Sequence, residues 1–373
     1  MFSRNAHLAL LSALMVASTA FVWLPFLQGS DDFFGVPLPQ TGMDAVKRYW
    51  DGPLYVIVSR TFYSEDPLYS FGNLPRSYYA AHLALYPASI RLLSVFSDAF
   101  DAMLLSTLLF SVLAVCMFYL LVKDFRYTRH PFLLSVVFIF LPARWLVYHS
   151  VGATEPAFVF LVLASLYLFK KGNFLFSAAF ASLAAVTRVT GVLLFAFYLL
   201  YFLWKRRSRL LSTDFAPYLL IPAALCLHFL FYSQVYGDFF AYGSVNNYLL
   251  SATPFRSLVS YGGPAQGEYW LFLYALYAAG IAVLYRRRHH DLALLSLVLA
   301  LPVLFISHND IARYLLPVFP FALVIAFEDV LTSREFRPAL LLLLVGAYMY
   351  AWGVIPNNLM PADEFARLSA MLR

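Results

Sequence analysis

One carboxylate and two arginines stand where a largely apolar sequence would not place charge without a purpose. Asp51 sits beside a tryptophan in RYWDGPLYVIVSRTFY (48–63), Arg188 lies between two apolar segments in TRVTG, and Arg313 precedes another in HNDIARYLLPVFP. Unpaired ionisable groups at membrane depth cost several kcal/mol, so such residues mark candidate sites. A carboxylate can take a proton from a hydroxyl, and arginines can hold a phosphate. We therefore expect these three residues to share one site.

Three further carboxylates are candidates with open alternatives. Glu155 begins an apolar segment next to Pro156, where it either caps a helix and complements its dipole or takes part in the site. Asp31 and Asp32 follow the first apolar segment; they either cap the next element, orient a sugar, or replace Asp51 as the proton acceptor. Adjacent carboxylates are also a weak indication of a divalent metal. The sequence indicates no other cofactor.

The predicted substrate-binding residues lie in stretches between or at the ends of apolar segments. Trp50 is either a platform for a sugar ring or a packing residue. Arg188 either holds the phosphate or extends its side chain to the headgroups, since its apolar segment is short. The predicted substrate-binding set is Asp44, Trp50, His82, Glu155 and His308.

The composition predicts an all-α polytopic membrane protein. Of the 373 residues, 62% are hydrophobic and 12% are charged, whereas soluble domains carry about 25% charged residues. A membrane-spanning helix needs about 20 mainly apolar residues. Eleven candidate segments fall approximately at 7–27, 102–122, 131–148, 155–170, 174–187, 189–204, 215–235, 269–285, 292–306, 314–331 and 338–355. The first is either a signal peptide or, as we favour, a retained anchor.

Charge placement predicts how these segments are oriented. More than half of the 26 basic residues lie in six short connections, and most of the 20 acidic residues lie in the alternate connections. The positive-inside rule makes the basic connections cytoplasmic, so we read them as topology signals rather than a nucleic-acid surface. They contain Arg4; Lys123, Arg126, Arg129; Lys170, Lys171; Lys205, Arg206, Arg207, Arg209; Arg286, Arg287, Arg288; and Arg334, Arg337.

Two long connections lie on the predicted outer side of one domain covering 1–373. The first long loop (28–101) is too aromatic to be disordered, and connections of that length are usually functional. Within it, a helix from Pro53 and a second at 78–96 are predicted to lie in the membrane interface. The second long loop (236–268) is rich in glycine and tyrosine. Cys116 and Cys226 fall inside predicted spans, which leaves no disulfide framework.

This layout suits transfer from a lipid-linked donor. On the outer side no nucleotide-sugar pool exists, so a donor carried on a polyprenyl phosphate is required. Hydrolases that cut an ordinary glycosidic bond need a second carboxyl as the acid. A phosphate is already a good leaving group, so a transferase that uses this donor does not need a second carboxyl. It needs one base, cations that hold the phosphate and an apolar groove for the lipid.

Five motifs, in order over about 44–320, resemble the PIG-V-like mannosyltransferases. RYWDGPLYVIVSRTFY is similar to the family's Trp-Asp signature, with Phe62-Tyr63 where Gly-Tyr is expected. YYAAHLALYPASIRLLS is similar to its aromatic-Pro-Arg segment, with His82 in a substituted position. TEPAFVFLVLASLYLF, ASLAAVTRVTGVLLF, and the pair YGDFFAY and ARYLLPVFP resemble the later elements.

The resemblance implies a GT-C-like bundle that transfers a hexose, usually mannose, from dolichyl or polyprenyl phosphate with inversion. By this resemblance Asp51 is the base or lies next to it, and the acceptor is a lipid-linked or protein-linked glycan. The protein then lies in an endoplasmic-reticulum-type or microbial plasma membrane. Two alternatives stay open: a secondary transporter or flippase, whose family members often show repeated halves, and a non-catalytic subunit of a glycosylation complex. No internal repeat is evident in the sequence.

Overall fold

The computed structural model describes residues 3–68, 74–205, 213–261 and 263–372, and the regular structure there is almost entirely helical. The predicted cytoplasmic residues Arg206, Arg207 and Arg209 lie outside the described residues. The α-helices are α1 (Arg4–Gln28), α2 (Met43–Lys47), α3 (Asp51–Thr61), α4 (Leu85–Leu93), α5 (Ala99–Asp124), α6 (Pro131–Phe140), α7 (Ala143–Tyr148), α8 (Glu155–Lys170), α9 (Phe174–Ala185), α10 (Leu193–Lys205), α11 (Leu220–Tyr236), α12 (Ala241–Asn246), α13 (Ser257–Ser260), α14 (Pro264–Arg286), α15 (His290–Ala300), α16 (Ile311–Tyr314), α17 (Glu328–Leu331), α18 (Phe336–Val354) and α19 (Ala362–Leu372).

Short helical turns and one hairpin complete the described chain. The strands β1 (Asp32–Phe33) and β2 (Val36–Pro37) form an antiparallel pair. The 3-10 turns are Arg76–Ala81, Val189–Val192, Ala216–Leu219, Asn247–Leu249, Leu301–Phe305 and Ile355–Asn357, and Pro320–Ile325 is a π-type turn.

Among the residues that the structure describes, five helical segments are long and apolar enough to cross a membrane, which makes this a helical membrane protein. They are Arg4–Gln28, Ala99–Asp124, Ala216–Tyr236, Pro264–Arg286 and Arg337–Asn357. Each overlaps one predicted span, and each exceeds the minimum of about 17 residues. Shorter apolar helical segments lie at Pro131–Phe140, Phe174–Ala185, Val189–Lys205 and His290–Phe305. The all-α prediction is confirmed, and the count of eleven spans stays a prediction.

Two of the predicted segments are interrupted rather than continuous. In 131–148, α6 ends at Phe140 and α7 begins at Ala143, because Pro142 has no N–H donor and forces the preceding residue out of the helical region; Leu141 is extended accordingly. In 314–331, α16 ends at Tyr314, and a π-type turn precedes α17.

The centre of the bundle is α8, which packs between α5 and α9. Its residues are apolar on every face, as expected for a helix surrounded by protein, and most of them are buried. The turn after α9 packs close to that helix through Gly191. A Cβ at that position would lie 2.4 Å from the backbone nitrogen of Ala185. Glycine is therefore required for the turn to approach the end of α9.

Both helices of the first long loop differ from their predictions. Its first helix, α3, is not an interfacial helix, because residues 52–59 are buried on all sides by the protein. Its second helix, α4, is shorter than predicted, and Leu92, Val95 and Phe96 at its end are between 69% and 84% exposed. This exposed apolar edge is typical of contact with lipid.

The chain ends in an amphipathic helix that the sequence reading missed. After α18, the Ile355–Asn357 turn leads into α19, which lies against the start of α5. Phe365 and Leu368 of α19 are buried, whereas Asp363 and Glu364 occupy its first turn. Acidic residues there complement the helix dipole.

Candidate active site

Four charged residues from four elements meet at one end of the bundle. Asp51 is the first residue of α3, and Glu155 is the first residue of α8. Arg188 lies in extended backbone between α9 and the Val189–Val192 turn, and Arg313 lies on α16. Helix amino termini carry partial positive charge, so both carboxylates occupy positions that favour their ionised form.

Ion pairs join these four residues in an unbroken chain. Arg313 donates from Nη1 to Asp51 Oδ2 at 2.6 Å and from Nε to Glu155 Oε1 at 2.5 Å. Arg188 donates from Nη1 to the same Glu155 oxygen at 2.6 Å and to Thr154 Oγ1 at 3.0 Å. The structure thus brings together the three residues predicted to share a site, and Glu155 links the two arginines.

The two carboxylates differ in solvent exposure. The Glu155 side chain is 1% exposed, whereas Asp51 is 23% exposed, and the arginines lie between them at 16% and 17%. Glu155 is therefore a buried counter-ion that fixes the arginines. Its Oε2 atom has no hydrogen-bond partner among the described residues. Asp51 is the carboxylate that a substrate can reach, and only its Oδ2 atom is engaged by Arg313.

The surroundings hold Asp51 in its ionised form. Burial alone would raise the pKa of this carboxyl, but the positive charge of Arg313 and its hydrogen bond outweigh burial and hold the pKa below its usual range. An ionised Asp51 is ready to accept a proton at neutral pH. The same ion pair makes it a weaker base, because protonation has to disrupt the attraction to Arg313.

A second ion pair, between Arg144 and Asp310, lies next to Arg313. Arg144 pairs with Asp310, and Tyr148 donates its hydroxyl to the same Asp310 oxygen at 3.1 Å. The Tyr148 ring lies between the two cations, with its centroid 4.8 Å from the Arg313 guanidinium and 5.2 Å from that of Arg144. Asp310 also accepts the backbone N–H of Arg313 at the start of α16. Arg144, Tyr148 and Asp310 thus fix the helix that carries Arg313.

His82 and two tyrosines form the opposite wall beside Asp51. His82 is buried, and its Nδ1 atom has no hydrogen-bond partner among the described residues. Its ring packs edge-on against Tyr55 at 4.7 Å. Burial lowers the pKa of His82 to about 4 despite the opposing charge of Asp51, so the imidazole is neutral at pH 7. Tyr78 lies 5.9 Å from the same ring and is partly exposed.

The second long loop reaches the same site. Its helix α12 packs against the Arg76–Ala81 turn. Burial, followed by the charge of Asp51 and the neighbouring Tyr248, raises the pKa of Tyr78 to about 12. The Tyr248 ring itself is 63% exposed. His308 accepts the Asp310 backbone N–H through Nδ1 at 3.0 Å and is partly buried. The two long loops therefore border one region around Asp51.

The other predicted residues have different surroundings. Asp31 and Asp32 are exposed in the β1–β2 hairpin, where Asp32 Oδ1 accepts the Gly35 N–H at 3.1 Å. No ion pair or hydrogen bond among the described residues joins either one to Asp51. Asp44 lines a separate cavity of about 550 Å³ between α2, α5 and α19. Trp50 precedes Asp51 and is partly buried against the core.

Two further observations bear on the identity of the site. The described residues contain no group of three or more His, Cys, Asp or Glu side chains arranged to hold a metal ion. The chain matches no protein-family model and no curated protein. A functional assignment therefore depends on the geometry of the site and on the motif resemblance.

Sequence reasoning missed the residues that support the site rather than the residues that form it. Arg144, Tyr148 and Thr154 gave only the signal of polar groups at the ends of apolar segments, which an interfacial anchor or a helix cap also explains. Asp310 directly precedes the Arg313 helix and caps it. Its place in HNDIARY, three residues before the arginine, is the one signal that could have identified it.

Proposed function

We propose that this chain is a multi-pass membrane glycosyltransferase. It moves a hexose, mannose by resemblance to the PIG-V-like family, from a polyprenyl or dolichyl phosphate to a hydroxyl of a lipid-linked or protein-linked glycan. The observation that carries the proposal is the 2.6 Å ion pair between Asp51 and Arg313, which joins a reachable carboxylate to a cation that could hold a departing phosphate.

The reaction follows from the positions of these groups. Asp51 accepts the proton of the acceptor hydroxyl as its oxygen attacks the anomeric carbon of the sugar. The bond between that carbon and the phosphate oxygen breaks, and the electron pair leaves with the polyprenyl phosphate. Attack from the face opposite the phosphate inverts the anomeric centre. The acceptor O–H bond and the bond from the anomeric carbon to the phosphate oxygen break, and a carboxyl O–H bond on Asp51 and the new glycosidic bond form, so the step balances.

The arginines supply the charge that the leaving phosphate requires. Among the described residues, Nη2 of Arg188 and Nη2 of Arg313 take no hydrogen bond in the ion-pair chain, so they are the donors available to a phosphate oxygen. Glu155 already holds both arginine side chains in place, and Thr154 accepts a further hydrogen bond from Arg188. Donors fixed before the reaction stabilise developing charge without reorganisation during it.

The two ends of the bundle support the proposed orientation. The site lies where α5 and α8 begin, whereas both helices end among basic residues. At that far end, Lys171 pairs with Asp124 at 3.1 Å, and Lys170 pairs with Asp291. The positive-inside rule makes the far end cytoplasmic. The proposed site then faces the outer or lumenal side of a GT-C-like bundle of about eleven spans in a single domain.

Reconstitution with one donor and one matched pair of variants tests this proposal. The purified chain in liposomes receives polyprenyl-phosphate mannose and a glycan acceptor mixture, and mass spectrometry follows addition of one hexose. Asp51→Asn is expected to abolish transfer, whereas Asp44→Asn, at an exposed carboxylate outside the ion-pair chain, retains it. Near-normal turnover by Asp51→Asn would remove this residue from the role of base.

The same preparation distinguishes the alternatives. Uptake or counterflow of a labelled solute without any covalent product would favour a transporter or flippase. Activity that appears only after a partner chain is added would favour a non-catalytic subunit. Comparison of membrane glycolipids and glycoproteins with and without this chain would then identify the acceptor.

A further inference from the structure

The backbone that leads into Asp51 is paired with the end of the chain. Asn358 accepts the Trp50 N–H at 3.0 Å, and the Met360 N–H donates to the Arg48 carbonyl at 2.9 Å. Between them, Tyr49 and Leu359 form an antiparallel bridge. Residues 358–360 thus run beside residues 48–50, immediately before Asp51.

A buried arginine reinforces this pairing. Arg48 is 7% exposed, and its Nη1 atom donates to the Met360 carbonyl at 2.9 Å. Its Nη2 atom donates to Gln40 in the same loop. A buried guanidinium requires such acceptors, because an unpaired buried charge is strongly destabilising. Arg48 therefore joins the first long loop to residue 360 through its side chain as well as its backbone.

Contacts at both ends hold residues 355–372, the strap, in place. At one end, Ile355 is fully buried where α18 ends. At the other end, Phe365 of α19 packs against Phe100 with ring centroids 4.8 Å apart, and Leu368 is fully buried. Arg60, at the end of α3, donates to the Leu372 carbonyl at 3.3 Å. The strap therefore contacts both ends of the helix that begins with Asp51.

The start of α3 has no local side-chain support. The residue before it, Trp50, makes no side-chain capping bond, and its N–H is committed to Asn358 instead. A capping side chain normally fixes the first turn of a helix. Here the backbone bridge to the strap fixes the residue just before the first turn, in addition to the ion pair between Asp51 and Arg313.

We propose that the strap is a positioning element that sets the place of Asp51 against Arg313 and the acceptor. This inference rests on the proposed glycosyltransferase function. A misplacement of about 1 Å in a catalytic group can lower a rate by roughly 100-fold. Because the bridge ends one residue before Asp51, loosening it displaces the carboxylate directly. The strap makes no contact with the substrate in this proposal and acts through Asp51.

A proline substitution tests the bridge. Met360→Pro removes the N–H that donates to Arg48, and Met360→Leu is the matched control because it keeps both the N–H and a similar volume. Hydrogen–deuterium exchange in nanodiscs measures the exchange rates of the backbone amides in residues 49–56 and does not require enzymatic activity. In Met360→Pro these amides are expected to exchange about tenfold faster, with α5 and α8 unchanged. Unchanged exchange at 49–56 would overturn the proposal.

Hexose-transfer kinetics of the same variants test whether the bridge affects the reaction rate. In Met360→Pro, kcat for hexose transfer is expected to fall by about 10- to 100-fold, with the donor KM within twofold of wild type. Met360→Leu keeps the wild-type kcat. Faster exchange with an unchanged kcat would overturn the positioning role. Absence of transfer by the wild-type chain would instead refute the proposed function, and the exchange result would stand by itself.

A second variant covers the case in which the proline variant does not fold. Phe365→Ala removes the packing of α19 on Phe100 and leaves the bridging backbone unaltered. The proposal expects the same pattern, with faster exchange at 49–56, a lower kcat and a nearly constant donor KM. A uniform rise in exchange throughout the bundle would contradict it, because that result describes general destabilisation.

Discussion

Arg313 holds Asp51 at 2.6 Å and, through a different nitrogen, holds Glu155 at 2.5 Å. A guanidinium can serve two carboxylates in this way because its donors are spread around a rigid plane. The site therefore has one cation common to the reachable and the buried acid.

The first prediction concerns the pH dependence of transfer. Burial favours the protonated form of Asp51, and Arg313 overcomes that effect, so the acidic limb of kcat/KM is expected below the usual pH range of an aspartate. In Arg313→Gln, the largest charge that opposes burial is gone, and this limb is expected to move to higher pH as kcat/KM falls. Arg313→Lys keeps the charge and is expected to leave the limb near its original position. An acidic limb that stays in place in Arg313→Gln would contradict the assignment of Asp51 as the base.

The second prediction concerns the balance of charge around Glu155. Glu155→Gln leaves Arg188 and Arg313 without their shared buried counter-ion, and breaking a buried pair in this way typically costs about 3–5 kcal/mol. Thermal unfolding in detergent is expected to show this loss. The double variant Glu155→Gln/Arg188→Gln removes one charge of each sign and is expected to recover part of it. Additive losses in the double variant would show that the two residues are not coupled.

The third prediction concerns the acid sensitivity of His82. Its pKa is about 4 in the folded protein and about 6.5 in an unfolded chain, so the unfolded state binds more protons between these values. Stability is therefore fully present above pH 6.5 and is lost as the pH falls towards 4. The loss for this difference in pKa is about 3–4 kcal/mol. His82→Gln is expected to flatten this part of a plot of melting temperature against pH. An unchanged slope would mean that other groups cause it.

The fourth prediction concerns the turn that presents Arg188. Gly191→Ala would place a Cβ within 2.4–2.6 Å of the backbone of Ala184 and Ala185, so the turn has to move and Arg188 moves with it. Donor KM is expected to rise by about tenfold or more, because the phosphate loses an aligned cation. Gly346→Ala in α18 is the matched control, since nothing lies within 4 Å of its added Cβ. Equal kinetics for the two variants would contradict the positional role of Gly191.

The membrane character and the central residues of the site were predictable from sequence. Apolar length identifies membrane helices without knowledge of their packing, and Asp51, Arg188 and Arg313 were identified because charge is unfavourable near apolar segments. Their mutual pairing was not predictable. A sequence shows that Glu155 starts a helix but not that two distant arginines converge on it.

The burial of α3, the helix α19 and the pairing of residues 48–50 with 358–360 were not predicted, because each depends on contacts between distant parts of the chain. α3 contains enough polar residues to suggest an interface, yet α4 and α5 pack against it and its residues 52–59 are buried. α19 is too short and too polar to register as a span, and its two buried apolar residues acquire meaning only against α5. Residues 48–50 and 358–360 pair through their backbones, which leaves no pattern in the side chains.

The long sequence separations within the ion-pair chain have a consequence for biosynthesis. Glu155 meets Arg188 from 33 residues further along the chain, but Arg313 comes 158 residues after Glu155. At about 5–20 residues per second, the ribosome takes roughly 10–30 s to synthesise that interval. During this time Asp51 and Glu155 of the nascent protein lack their ion pairs with Arg313. Chains that stall before residue 313 never complete the pairing, and this defect distinguishes an unfinished copy from a finished one.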